Sequence, residues 1–119
     1  MRFDVLSRIL IEVVRRRSKV SYKRLSEEYR RVTGTWIHWR SWGAWLMALN
    51  ERLAAFGLPG ITVVVINAKT GMAGSGIWAC SPNVPPRPAT EAGERAEQNR
   101  LRDLVYGTIW PDELPDVVG

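Results

Sequence analysis

The run Gly57-Leu58-Pro59-Gly60, followed directly by Ile61-Thr62-Val63-Val64-Val65-Ile66, splits the 119-residue chain into halves of different character. Two glycines and a proline end any helix that reaches them, and the β-branched run after them favours a pleated strand. Residues 67–76 hold three glycines and little apolar content, which reads as a turn or loop. Ile77-Trp78-Ala79-Cys80 then returns as the partner strand, giving a hairpin with a long tip.

Upstream of the breaker, apolar residues recur at helical spacing. Val5, Leu6, Ile9, Leu10, Val13 and Val14 mark a first helix over residues 3–17, with Arg8, Glu12 and Arg15 to Arg17 largely on its other side. Ser18 to Ser21 reads as a short extended piece, and Ser21 caps a second helix that buries Leu25, Tyr29 and Val32 and ends at Gly34. A third helix over residues 41–56, with Ser41 as its cap, turns Trp42, Leu46, Leu49, Leu53 and Phe56 to the core.

Downstream, residues 81–89 contain four prolines and read as a semi-rigid connector. Thr90 caps a last helix over residues 90–106, whose apolar residues Leu101, Leu104 and Val105 cluster late. The tail from residue 108 is expected to be irregular and anchored by Ile109 and Trp110. The expected class is α+β: a three-helix core with a β-hairpin after it, and an additional C-terminal helix. The organisation is one domain over 1–80, a connector over 81–89, and a helix and tail over 90–119 that pack on the same domain.

Composition narrows the function classes. One cysteine, Cys80, excludes an internal disulfide, and no Cys/His cluster has zinc spacing, so neither metal nor cofactor is expected. The first apolar stretch is broken by Arg8 and Glu12 and lacks a cleavage pattern, and no run nears the roughly 20 apolar residues of a membrane span. A cytoplasmic protein without membrane contact is expected. Residues 1–52 carry 12 Lys/Arg against 5 Asp/Glu, whereas residues 91–119 carry 3 against 7. The basic half is the candidate contact surface for phosphate backbones, although such charge also serves acidic protein partners or mere solvation.

The order helix, short strand, helix, helix, strand, glycine-rich loop, strand resembles the winged-helix variant of the helix-turn-helix. Within that resemblance, Gly57 to Gly71 is similar to the wing of small bacterial and phage proteins, with a Leu-Pro turn, an apolar strand and an Asn-x-x-Thr-Gly tip. Leu104 to Trp110 resembles their aromatic closing segment. The resemblance implies that the third helix faces duplex DNA and that the second helix and the wing touch the backbone. Lys23, Arg24, Arg30, Arg31, Arg40 and Lys69 are then the candidate phosphate contacts, and Asn50 the one residue on the third helix suited to reading a base. Binding of modest sequence preference is expected, and a homodimer is compatible with it.

The remaining features support a second reading. Trp36, Trp39, Trp42 and Trp45 recur every three residues, which a single α-helix would spread over opposite faces. A turn or 3₁₀ segment through Thr35 to Arg40, with most indoles in or around the core, accommodates them; an aromatic platform is the functional alternative. The third helix's outer face carries Gly43, Ala44 and Met47, a smooth patch suited to a protein. With Trp36 and Trp39 it forms the candidate surface of a phage or mobile-element inhibitor of a host nucleic-acid machine, as anti-CRISPR proteins are. Catalysis is not expected. His38 and Cys80 fall in different elements without a third partner, and the glycines lack a phosphate-loop Lys-Ser/Thr.

Overall fold

Local signals start and stop the helices. In the computed structural model, which describes residues 1–80 and 82–112, α1 spans Phe3–Arg15 and buries Val5, Leu6, Leu10, Ile11 and Val14. A two-residue strand, β1 (Val20–Ser21), leads into α2 (Tyr22–Thr33). Ser21 Oγ accepts from Arg24 N at 3.1 Å, and Gly34 closes the helix at φ +78°, a left-handed conformation that favours glycine. A 3₁₀ turn over Trp39–Ser41 precedes α3 (Trp42–Ala55), which buries Trp42, Leu46, Leu49 and Leu53. Ser41 makes no capping bond there. His38 Nδ1 instead accepts from Arg40 N at 3.2 Å, one turn earlier.

The expected hairpin over 61–80 is not formed. Ile61–Val64 is a 3₁₀ turn, and only Val65–Ile66 is a strand, β2. It pairs in parallel with β1, Val20 opposite Val65 and Ser21 opposite Ile66. The return segment Ser75–Ala79 is also 3₁₀, held by Ile77 N donating to Gly74 O and Cys80 N to Ile77 O. The reason lies in burial. Residues 61 to 65 are all buried, between α1, α3 and α4. A strand with one wet face would expose alternate residues, and a tight turn buries all of them. The chain does reverse at residues 67–72, where Asn67 N donates to Met72 O at 2.8 Å, but no ladder follows.

After the connector, α4 (Glu91–Gly107) starts at Thr90, whose Oγ1 accepts from Gly93 N at 3.0 Å. Leu101, Val105 and Trp110 join the same core as α1 to α3. The connector is tied to the body as well, with Val84 buried and Asn83 Nδ2 donating to the carbonyls of Asn50 and Leu58. Among the described residues the architecture is α+β, four α-helices around a minimal parallel pair. Val32, Phe56, Leu104 and Ile109, expected to be apolar contacts, are exposed. The expectation of an irregular tail falls partly on residues 113–119, outside the described residues.

Candidate nucleic-acid interface

Ser26, at the centre of α2, organises the tryptophan segment. Its Oγ donates to Ile37 O at 2.6 Å and accepts from Trp42 Nε1 at 2.7 Å. Trp42 is thereby locked in the core, with Tyr29 edge-on at 5.6 Å. The other indoles lie outward, contrary to the expectation that most would be packed: Trp36 is 48% exposed, Trp39 53% and Trp45 37%. Trp36 lies in non-helical chain, Trp39 in a 3₁₀ turn and Trp42 at the start of α3, so no single helix orders the indoles, and Trp42 is buried while Trp36 and Trp39 stay on the surface.

Cations accompany Trp36 and Trp39. The Arg30 guanidinium lies 5.9 Å from the Trp36 ring centre and that of Arg40 5.0 Å from Trp39, within cation–π range. His38 stacks on Trp39 at 5.6 Å with 30° between planes. Beside Trp39 and Arg40 opens a cleft of about 410 Å³, with Gly43 and Met47 of α3 on one side and the segment Ala73 to Ile77 on the other. Ala44 is exposed on the same helix but does not line the cleft.

The far wall is held by two contacts that span the molecule. Gly74 N donates to Tyr22 Oη at 2.9 Å. A Cβ on Gly74 would sit 2.8 Å from that oxygen, so any side chain there would displace the Tyr22 hydroxyl from this position. From α4, Gln98 accepts from Ala73 N at 2.8 Å and donates to Ala73 O at 3.3 Å. Burial pushes the Tyr22 phenol and the Cys80 thiol, both lining the cleft, above their ordinary values.

The candidate basic residues fall into two sets. Lys23 and Arg30, seven residues apart, share the edge of α2 that leads to Trp36; Arg24 and Arg31 share another. There Arg24 and Arg31 each meet Glu28 at 3.0 Å and line a separate groove of about 460 Å³ against α1. Lys69 projects from the turn at 67–72, its N–H donating to Asn67 Oδ1 at 2.8 Å. Among the described residues Lys23, Arg30, Arg40 and Lys69 have no carboxylate partner.

Asn50 requires correction. It is fully buried and donates to Thr62 Oγ1 at 2.6 Å, so it reads no base. The buried stripe of α3 widens to include Asn50 because the 61–64 turn packs against the helix on that side. Sequence reasoning also missed Tyr22 and Gln98, whose partners are 52 and 25 residues away. Compared with known protein families, with curated proteins and with solved structures, the chain matches none.

Proposed function

We propose that the chain is a non-enzymatic nucleic-acid-binding protein that acts in the cytoplasm and holds its target mainly through phosphate contacts, with modest sequence preference. The observation that carries this reading is that four of the candidate residues, Lys23, Arg30, Arg40 and Lys69, are exposed cations without carboxylate partners among the described residues. Arg40 lies against the exposed Trp39 at the cleft, and Arg30 lies against the exposed Trp36. Unpaired cations on a rigid surface release counterions from a phosphate backbone at no cost in broken ion pairs. The order α1, β1, α2, α3 supports a winged-helix type of helical half. In place of a hairpin wing, the turn carrying Lys69 is the element that reaches the backbone. Among the described residues no helix is long and apolar enough to cross a membrane.

The test is fluorescence anisotropy with labelled mixed-sequence DNA over a salt series. Binding that falls steeply with salt is expected; no binding at low salt overturns the reading. A second reading rests on the first turns of α3, whose outer face is uncharged up to the exposed Glu51: Gly43, Ala44 and Trp45 are exposed there and Met47 is half-buried. Such a face suits a protein partner, and an inhibitor of a host nucleic-acid machine is the form it takes if nucleic acid does not bind.

A further inference from the structure

We infer that the Trp36–Trp39 edge and the cleft beside it take single-stranded nucleic acid, with bases stacked on the indoles and unpaired cations on the backbone; this rests on the nucleic-acid reading above. Two independent observations separate a single strand from a duplex. The first is what α3 lacks. A duplex offers base edges, which need hydrogen-bonding side chains; the outward residues Gly43, Ala44 and Met47 have none to give, Asn50 is buried against Thr62, and the exposed Glu51 is an anion that flanking phosphates repel. The second is what the neighbouring segment displays. A single strand offers base faces, and His38, Trp39 and Arg40 are three consecutive exposed flat groups, with His38 stacked on Trp39 and Arg40 beside it. Indoles and guanidinium planes both stack on bases.

Trp36 extends this platform. Three residues of chain separate it from Trp39, at most about 11 Å, so one strand can meet both rings. The guanidinium of Arg30 stands beside Trp36 as that of Arg40 stands beside Trp39, which puts a phosphate-binding group next to each stacking surface. The cleft of about 410 Å³ next to Trp39 is within the range of small-ligand pockets. Its lining includes the apolar Met47 and the polar Asn67 and Ser75, a chemistry suited to one unstacked base. Because both rings are about half exposed, replacing them leaves the core untouched.

The experiment compares one labelled oligonucleotide sequence as a single strand and as a duplex, at matched salt, against the full chain and the variants Trp36→Leu, Trp39→Leu and Trp39→Phe. The expected result is tighter binding of the single strand, tryptophan fluorescence quenched on binding, and affinity lowered roughly 5- to 100-fold by each leucine variant, with partial recovery in Trp39→Phe. Thermal melts of the variants, expected to match the parent, separate lost stacking from lost folding. Duplex binding as tight as single-strand binding, with the leucine variants unaffected, overturns the stacking inference and leaves the nucleic-acid reading standing. Absence of binding to either form at low salt overturns both.

Discussion

Trp42 Nε1 donates to Ser26 Oγ at 2.7 Å, so the buried end of the tryptophan series hangs from α2 by the hydroxyl that also fixes Ile37 O at 2.6 Å. One side chain thus sets both the start of α3 and the path of the segment that carries Trp36 and Trp39. Ser26→Ala leaves the Trp42 N–H and the Ile37 carbonyl without their partner. The buried Trp42 N–H left unmet costs about 1–3 kcal/mol and the half-buried Ile37 carbonyl can turn to water, so a loss of about 2 kcal/mol is expected. Urea denaturation checks it: the midpoint should fall at unchanged slope. A midpoint equal to the parent's would show that the hydroxyl is not needed.

The clamp from α4 makes a second claim. Gln98 is buried and meets both backbone groups of Ala73, as a strand neighbour would. Gln98→Leu should cost about 1 kcal/mol, because Ala73 is half-buried and water can replace the lost partner. Its sharper signature is local. Amide exchange at Ala73 and Gly74 should quicken while that of α1 stays slow, since one wall of the cleft is released and the core is not. Uniform acceleration across the chain would instead mean that α4 supports the whole fold.

What was legible in the sequence was what neighbours in the chain decide. Ser21, Gly34 and Thr90 mark helix ends because their partners lie within four residues, and the burial of Leu10, Leu25 and Leu49 follows from spacing alone. The run from Ile61 to Val65 was not legible, because a segment buried on all sides has no period that separates a strand from a tight turn. The pairing of Val20 with Val65 spans 45 residues of chain and leaves no local mark. Within the site, Arg30 and Arg40 were identifiable by charge. That Arg24 and Arg31 pair with Glu28 is legible too, as i,i+4 and i,i+3 spacing on one helix, whereas that Asn50 turns inward to Thr62 depends on a contact that spacing does not encode.

Alkaline pH should loosen the cleft. Cys80 and Tyr22 have folded values raised by burial above their unfolded ones, so the folded state favours their protonated forms. The sign follows from linkage: this contribution is fully present below the unfolded values, roughly pH 9–10, and is lost as pH rises through the folded values. Stability is therefore expected to hold from neutral pH to about 9 and then to fall. The variants Cys80→Ala and Tyr22→Phe should each flatten that decline. A decline unchanged in both would place its origin elsewhere in the molecule.

The two edges of α2 should differ in their response to salt. Lys23 and Lys69 have no carboxylate partner among the described residues, so a phosphate that either one binds releases a counterion and steepens the dependence of affinity on salt. Arg24 and Arg31 are already engaged with Glu28 on the groove facing α1. Accordingly, Lys23→Gln and Lys69→Gln should each reduce the slope of log K against log salt by about 0.7 for a single strand, or about 0.9 for a duplex. Arg24→Gln and Arg31→Gln should leave it unchanged, and the loss of so exposed an ion pair should shift stability by less than about 1 kcal/mol. The reverse pattern, with the slope following Arg24 and Arg31, would move the binding face to the groove between α1 and α2 and leave the tryptophan edge without a nucleic-acid role.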